Sequence, residues 1–496
     1  MKMKNIYLLI LVLGVLVSAC ELPDNVDPKS ATDVPAETLM ANALRDGLRH
    51  LDQMNQNVNV SRLMCQHNSM MQYPEPSRYE FSDRQIPDGY WNTTYLVLQD
   101  LREVRLLIQD LSGSESFNRN LANKMAIVDI IEVLMIHNLI DILGDIPYTD
   151  ALGGFDNKTP AYDDAATIYN DLLARLGTDI ATLNAGINDG SWGSEDLVYG
   201  GDVAMWKKFA ATVKLRLGMR LADTNSAAAQ SELAMALTAG VLEAGEVMQL
   251  PWIGVSPHVN TINDVFIVAN RTDYAPSLTI VSLMEGLNDP RMDNFFSQVD
   301  TSSETDVEKW AYVGLKYGLS SNESYPNYSH FSDPMFAGDF PATFACYAEV
   351  QFLLAEAAAR GYTTPMSAQE HYEAGITESI LFWNGTEDEA VTYIAEAGVA
   401  YDAARWKELI GTQKWLAQYN RGNEGWCTSR IFDWPVMDPP EDMTQEDIPS
   451  RLPFPYNEPD LNLENYTAAA AAIGGDDVRT LLFWDVKHNS ATPSPN

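Results

Sequence analysis

Cysteine is scarce: four residues in 496, at positions 20, 65, 346 and 427. With Cys20 set aside, Cys65, Cys346 and Cys427 are too few and too dispersed for a disulfide framework, and no CxxC or Cys/His spacing suits zinc. At most one bridge can form among them, and the expectation is that all three are small core residues. Histidine is nearly as sparse, at seven, with no HExxH pair. His67, His258 and His330 fall in loop-like sequence and read as solvated or hydrogen-bonded side chains, not catalytic bases. There is no GxSxG, no GxxxxGK followed by Ser or Thr, and no GxGxxG between a strand and a helix. The run Tyr199-Gly200-Gly201-Asp202 precedes a helical pattern, so Asp202 is a candidate N-cap and the glycines are not a phosphate loop. These absences leave no cofactor and no metal to expect. The acidic stretch from Asp300 to Asp306 reads as a solvated loop.

Positive charge is also in short supply. Lys and Arg total 32 against 69 Asp and Glu, a formal net charge of −37. That surface excludes nucleic acid and direct attraction to anionic lipid headgroups, and it is compatible with neutral ligands such as glycans. Past the N-terminus no apolar run is long enough to cross a bilayer. The nearest, Leu121 to Leu143, is interrupted by Asp129, Glu132 and Asp141, and is expected to be a helix buried inside a soluble fold.

The N-terminus is different. Met-Lys-Met-Lys gives a positive start, and Ile6 to Val17 is an unbroken apolar run of twelve residues. That length suits the core of a signal peptide and is too short for a transmembrane helix. Val17-Ser18-Ala19-Cys20 then resembles a bacterial lipobox, in which the Cys20 thiol is lipidated and becomes the mature N-terminus. Residues 1–19 are therefore read as a lipoprotein signal peptide and 20–35, rich in Pro, Asp and Ser, as a flexible tether. The membrane is engaged through the N-terminal lipid alone. Loss of Lys2 and Lys4 with the leader takes the formal charge from −37 to −39.

The rest, 36–496, is expected to be one mainly helical domain. Amphipathic periodicity predicts helices over 36–57, 91–111, 120–143, 163–184, 202–222, 227–242, 346–360, 367–383, 387–396 and 401–420, with a short later one near Ala468 to Ile473. Short connections make antiparallel pairs of several. The pair from Cys346 to Phe382, with small residues such as Ala355, Ala357, Ala368 and Gly375 at its seam, looks like a degenerate tetratricopeptide repeat. A helical scaffold over about 36–244 and 346–420 thus alternates with loop-rich regions at about 245–345 and 421–466. Long loops in a compact protein are where function is sought.

Carboxylates are too numerous for any pair to stand out as the acid and base of a glycosidase. Aromatic residues are more informative. Sugars stack their C–H faces on Trp and Tyr while their hydroxyls need polar partners. The loop segment Tyr325-Pro326-Asn327-Tyr328-Ser329-His330 offers that mixture. Tyr73, Tyr79 and Trp252 are the other candidates, so the expected ligand-binding set is Tyr73, Tyr79, Trp252, Tyr325, Tyr328 and His330, with no catalytic residue.

Several segments, in order, resemble the SusD/RagB family of nutrient-binding lipoproteins. They are Gly144 to Ala151 (GDIPYTDA), Trp206 to Asp223 (WKKFAATVKLRLGMRLAD), Asp289-Pro290-Arg291-Met292, Glu349 through Glu356-Ala357, Gln413-Lys414-Trp415 with Gly425-Trp426, and Arg451-Leu452-Pro453-Phe454-Pro455 with Glu458 and Asn465-Tyr466. Thr428-Ser429-Arg430 departs from the aromatic-plus-arginine run usual at that point. The resemblance covers essentially the whole chain. It implies tetratricopeptide-like helix pairs carrying a loop-rich ligand region, a SusC-like TonB-dependent transporter as partner, and an oligosaccharide, or else a peptide or other nutrient, as cargo at the outer-membrane surface. It also implies that the shared motifs mark scaffold and partner surface. A tetratricopeptide assembly lipoprotein and an α/α-toroid glycosidase are the readings from other classes.

Overall fold

The computed structural model describes residues 34–53, 60–302 and 309–486. The leader, Cys20 and the tether up to residue 33 lie outside them, as does most of the acidic stretch at 303–308.

Nearly all of the expected helices form. In chain order they are α1 (Ala36–Asp52), α2 (Val60–Met64), α3 (Ile86–Ile108), α4 (Glu115–Leu143), α5 (Ala165–Ala185), α6 (Val203–Arg220), α7 (Ser226–Ala239), α8 (Leu278–Leu287), α9 (Met292–Phe295), α10 (Tyr347–Ala359), α11 (Ala368–Phe382), α12 (Glu387–Ile394), α13 (Trp406–Ala417), α14 (Gly422–Phe432), α15 (Glu458–Leu461) and α16 (Leu463–Ala472). Packing pairs α1 with α3, α4 with α5, α6 with α7, α10 with α11 and α13 with α14. The sheet content is small: β1 (Asn68–Met70) with β3 (Tyr274–Pro276), β2 (Val247–Leu250) with β6 (Ala342–Cys346), and β4 (Val299–Asp300) with β5 (Trp310–Ala311), all antiparallel.

Local chemistry sets the helix boundaries. Ser114, Asp164 and Asp202 each accept a backbone N–H from the first turn of α4, α5 and α6, satisfying donors a helix start leaves unpaired. Ser367 and Glu370 form a reciprocal capping box on α11. Gly144 ends α4 at φ 88°, a conformation that favours glycine. At the α10–α11 seam, a Cβ on Gly375 would sit 3.0 Å from the Phe352 ring, so the small residue there is a packing requirement.

Several of the sequence motifs turn out to be struts. Arg291 is 0% exposed; it clasps Asp289 at 2.5 Å and donates to Ser379 of α11 and Gln413 of α13. Arg451 donates to the Leu143 carbonyl and to Asp476, and Arg430 donates to the Asp141 carbonyl. Both arginines thereby cover carbonyls that the end of α4 leaves without helical partners. Arg216 pairs with Glu349 at 2.6 Å, while Arg220 pairs with Asp141 at 3.0 Å and Glu424 at 2.7 Å. This buried network ties α4, α6, α10 and α14 together. Removing one member would strand an opposite charge in the interior.

Between α4 and α5 an open groove is floored by Ala122, Ala126, Ala174 and Thr178 and flanked by charge. Asp129 receives Arg105 and Arg175 at 2.9 Å. Burial works against that carboxylate, but the hydrogen bond and charge of Arg175, with Arg105, prevail and hold it below the usual range. Asp179 lies beside it, 6% exposed, and its Oδ2 has no donor. Burial first, and the neighbouring Asp129 charge second, push Asp179 up to about 9.

Helix α14, Gly422–Phe432, forms inside a stretch expected to be loop-rich; all of its residues but Asn423 are buried, so it lacks the polar face that periodicity detects. The region 245–345 likewise contains α8. His67 is hydrogen-bonded, one of its two expected states, but it is also fully buried: its Nε2 lies 3.2 Å from the Trp415 carbonyl and its ring 4.6 Å from that of Trp415. The three remaining cysteines are buried and free, as expected.

Candidate functional site

The β1–β3 pairing builds the candidate site. It aligns Met70 with Tyr274, and just beyond it Met71 donates its N–H to Asp273 and accepts one from Glu323. Three stretches distant in sequence therefore meet edge to edge. Tyr325 and Tyr328 pack on a small cluster of Met71, Ala275 and Leu315. Tyr73, two residues on from Met71, is 51% exposed, with the Arg84 guanidinium 5.6 Å from its ring.

At the centre Tyr325 and His330 stack at 3.7 Å with rings 5° from parallel. His330 Nε2 lies 3.0 Å from the Tyr325 carbonyl, which assigns the proton to Nε2 and leaves Nδ1 as an acceptor. Burial lowers the His330 pKa against the opposing pull of that hydrogen bond, so the ring is neutral. Burial alone pushes the Tyr325 phenol up to about 12. Tyr328 donates its hydroxyl to Glu323 at 3.2 Å. Behind the stack, Phe266 contacts Tyr274, Tyr325, Phe331 and Phe336. Phe266 belongs to a π-helical turn, Asn263–Val268, that leaves Ile267 and Val268 exposed beside it. Such turns are uncommon and favour functional positions.

Of the six candidates, Tyr325, Tyr328 and His330 come together, and Tyr73 stands on the loop that Met71 joins to their segment. Tyr79 and Trp252 pack elsewhere. Tyr79 turns inward onto Phe81 and Tyr317. Trp252 is 7% exposed, lies under the Arg49 guanidinium of α1, and makes no ring contact with the others. Burial of so large an apolar ring in the core is favourable in itself. Sequence reasoning missed Phe266, Ile267, Val268 and Arg84; a six-residue turn is too short to give a periodic signal. Among the described residues no group of three or more His, Cys, Asp or Glu is placed to hold a metal ion.

Comparison with known proteins bears on the family and the fold. The profile of the SusD-like family, described as starch-binding and associating with the outer membrane, matches residues 28–455. The chain belongs to the SusD-like family. A search of curated proteins found no match. Among solved structures, a SusD homolog from Bacteroides uniformis superposes at TM-score 0.76 with 24% identity, covering 92% of this chain and 100% of its own. A SusD-like protein from Bacteroides thetaiotaomicron gives 0.78 at 23% identity, covering 92% and 99%. A chitin-binding SusD homolog from Flavobacterium johnsoniae gives 0.77 at 22%, covering 90% and 99%. At such identities these matches establish the SusD-like helical fold. No described helix is long and apolar enough to cross a membrane. The family's description, starch-binding and associating with the outer membrane, supports a role in binding a nutrient of the glycan class at the surface.

Proposed function

We propose that this SusD-like protein is a cell-surface lipoprotein that captures an oligosaccharide on its loop-borne aromatic face and passes it to a SusC-like TonB-dependent transporter, without catalysing a reaction. The Tyr325–His330 stack carries the reading. A pyranose presents C–H faces that seek an aromatic surface and hydroxyls that seek donors and acceptors within reach. The stack supplies the surface, and His330 Nδ1 with the Tyr325 and Tyr328 hydroxyls supplies the partners. Tyr73, exposed on the loop that Met71 joins to this segment, is a further aromatic surface for the sugar chain. Lipidation of Cys20 would hold the whole 36–496 domain at the outer membrane, with the acidic tether segment as spacer.

The test is affinity electrophoresis of the full chain in gels containing starch, chitin, xylan or mannan, with Tyr325→Ala alongside. Retardation by one of these glycans is expected, weakened roughly five- to thirtyfold in the variant, the loss of about 1–2 kcal/mol for one aromatic platform. Retardation untouched by Tyr325→Ala would remove the site and keep the function. Retention of cationic peptides in place of every glycan would move the ligand class to peptide, which the acidic surface also suits.

A further inference from the structure

A second recess lies where the C-termini of α11 and α13 meet the two-stranded β2–β6 sheet. It has a volume of about 280 Å³, with Trp383, Tyr419 and Cys346 buried at its floor and Phe382 and Asn384 exposed at its mouth. No sequence signal pointed to it, and none of the six candidate residues lines it.

Three irregularities of the backbone converge there. Asn384 follows α11 at φ 63° and Asn420 follows α13 at φ 64°, both left-handed. The β2–β6 register shifts between Met248 and Gln249, and Gln249 faces the recess. Each irregularity aims an amide-bearing residue at one space, and such departures cluster where a site is built. Polar capacity is also unused. Trp383 Nε1, Asn420 Oδ1 and Arg421 Nε are buried without a partner in the protein, a costly condition for groups in the interior.

The lining selects the ligand. Trp383 is already the hub of an aromatic cluster, against Phe295, Phe340, Phe382 and Tyr419, so the walls suit a ring. The uncharged polar groups are three amides, an indole N–H and the hydroxyls of Thr343 and Tyr419. The one charged group, Arg421, is paired with Glu349. Two helix C-termini, whose carbonyls carry partial negative charge, disfavour an anion and accept hydrogen bonds from hydroxyls. The volume sits at the small end of ligand pockets, enough for one ring and too little for a chain.

We infer that the Trp383–Asn384–Asn420 recess is a binding site for a single neutral pyranose, separate from the loop face. The choice of sugar as ligand class rests on the glycan-binding reading above; the location does not. The experiment titrates the full-length protein, in detergent, with glucose, mannose, galactose, xylose and N-acetylglucosamine. Tryptophan fluorescence and saturation-transfer NMR report binding. Asn384→Gly removes the amide at a φ that glycine tolerates, so the fold is kept, and Trp383→Phe removes the indole N–H. Binding of at least one sugar is expected, weakened about tenfold by either variant and unaffected by Tyr325→Ala. Polysaccharide retention in gels should show the opposite pattern, lost with Tyr325→Ala and retained with Asn384→Gly. No monosaccharide binding, or binding that survives both recess variants, overturns this site while leaving the loop-face reading intact. Monosaccharide binding abolished by Tyr325→Ala overturns it too, since the sugar would then lie on the loop face. Failure of every polysaccharide to bind would count against the loop-face reading, and the monosaccharide result would still decide the recess.

Discussion

Replacing Asp179 by Asn should stabilise the protein at neutral pH, and the direction follows from the groove between α4 and α5. Asp129 is held ionised there by Arg175 and Arg105, and Asp179 lies beside it with Oδ2 lacking a donor. Two adjoining carboxylates cannot both carry charge cheaply when one is 6% exposed. Folding therefore binds a proton at Asp179, raised to about 9 from the 3.8 of a free carboxyl. A raised carboxyl pKa means that the folded state holds more protons than the unfolded state across that interval. Stability then falls as pH rises through it, and the penalty is absent below the unfolded pKa. At pH 7 about three units of the interval have been crossed, which at about 1.36 kcal/mol per unit sets a ceiling of about 4 kcal/mol. The proton belongs to the Asp129–Asp179 pair and not to one residue, so the effect at Asp179 falls below that ceiling.

Asn is neutral, nearly isosteric, and its Nδ2 can donate to Asp129. Asp179→Asn should therefore raise the unfolding free energy by up to about 4 kcal/mol at pH 7. Denaturant melts of wild type and variant at pH 5 and pH 8 provide the assay. The gap between them should widen with pH, by up to about 4 kcal/mol over that range. A variant less stable than wild type at pH 8, or a gap that does not change with pH, would refute the shared-proton account.

The scaffold yields further expectations. Arg291→Ala strands Asp289 in the core and should cost about 3–5 kcal/mol in unfolding free energy, measured by denaturant titration. Gly422→Ala places a Cβ 2.5 Å from the Arg62 backbone nitrogen, where α14 crosses α2. Because backbone has to give way, a loss of about 3 kcal/mol is expected in the same assay. Burial depresses His50 to about 4 and His67 to about 3, in each case against an opposing backbone hydrogen bond. Both are neutral when folded and protonate near 6.5 when unfolded. Their contribution is complete above that pH and is lost as pH falls toward 4 and 3, by about 2 kcal/mol per histidine at pH 5. Melts from pH 7 to pH 5 should therefore be shallower in pH for His50→Gln than for wild type.

How far the sequence could be read depended on what each residue was asked to do. Helices with one wet face, such as α5 with Asp164 as its cap, announce themselves through period and cap. Helix α14 does not, because Trp426, Cys427, Thr428 and Arg430 are all buried and no face is left to alternate with. The motifs were legible because struts need particular chemistry: only an arginine can clasp Asp289 while also reaching Ser379 and Gln413. They identified the scaffold for that reason and were silent on ligand. The site was half legible. The Tyr325-to-His330 segment carries its own stack within six residues, so local sequence contains it. Tyr73 joins that segment only through the β1–β3 pairing and the Met71–Glu323 hydrogen bond, contacts across some 200 to 250 positions. The recess at Trp383 is harder still. Its Gln249, Asn384 and Asn420 are ordinary amides in sequence, and they become a set only because two helices end, and one strand pair shifts register, at the same place. Composition can indicate that a chain is equipped to bind sugar, but which of its side chains meet is set by where the scaffold interrupts itself.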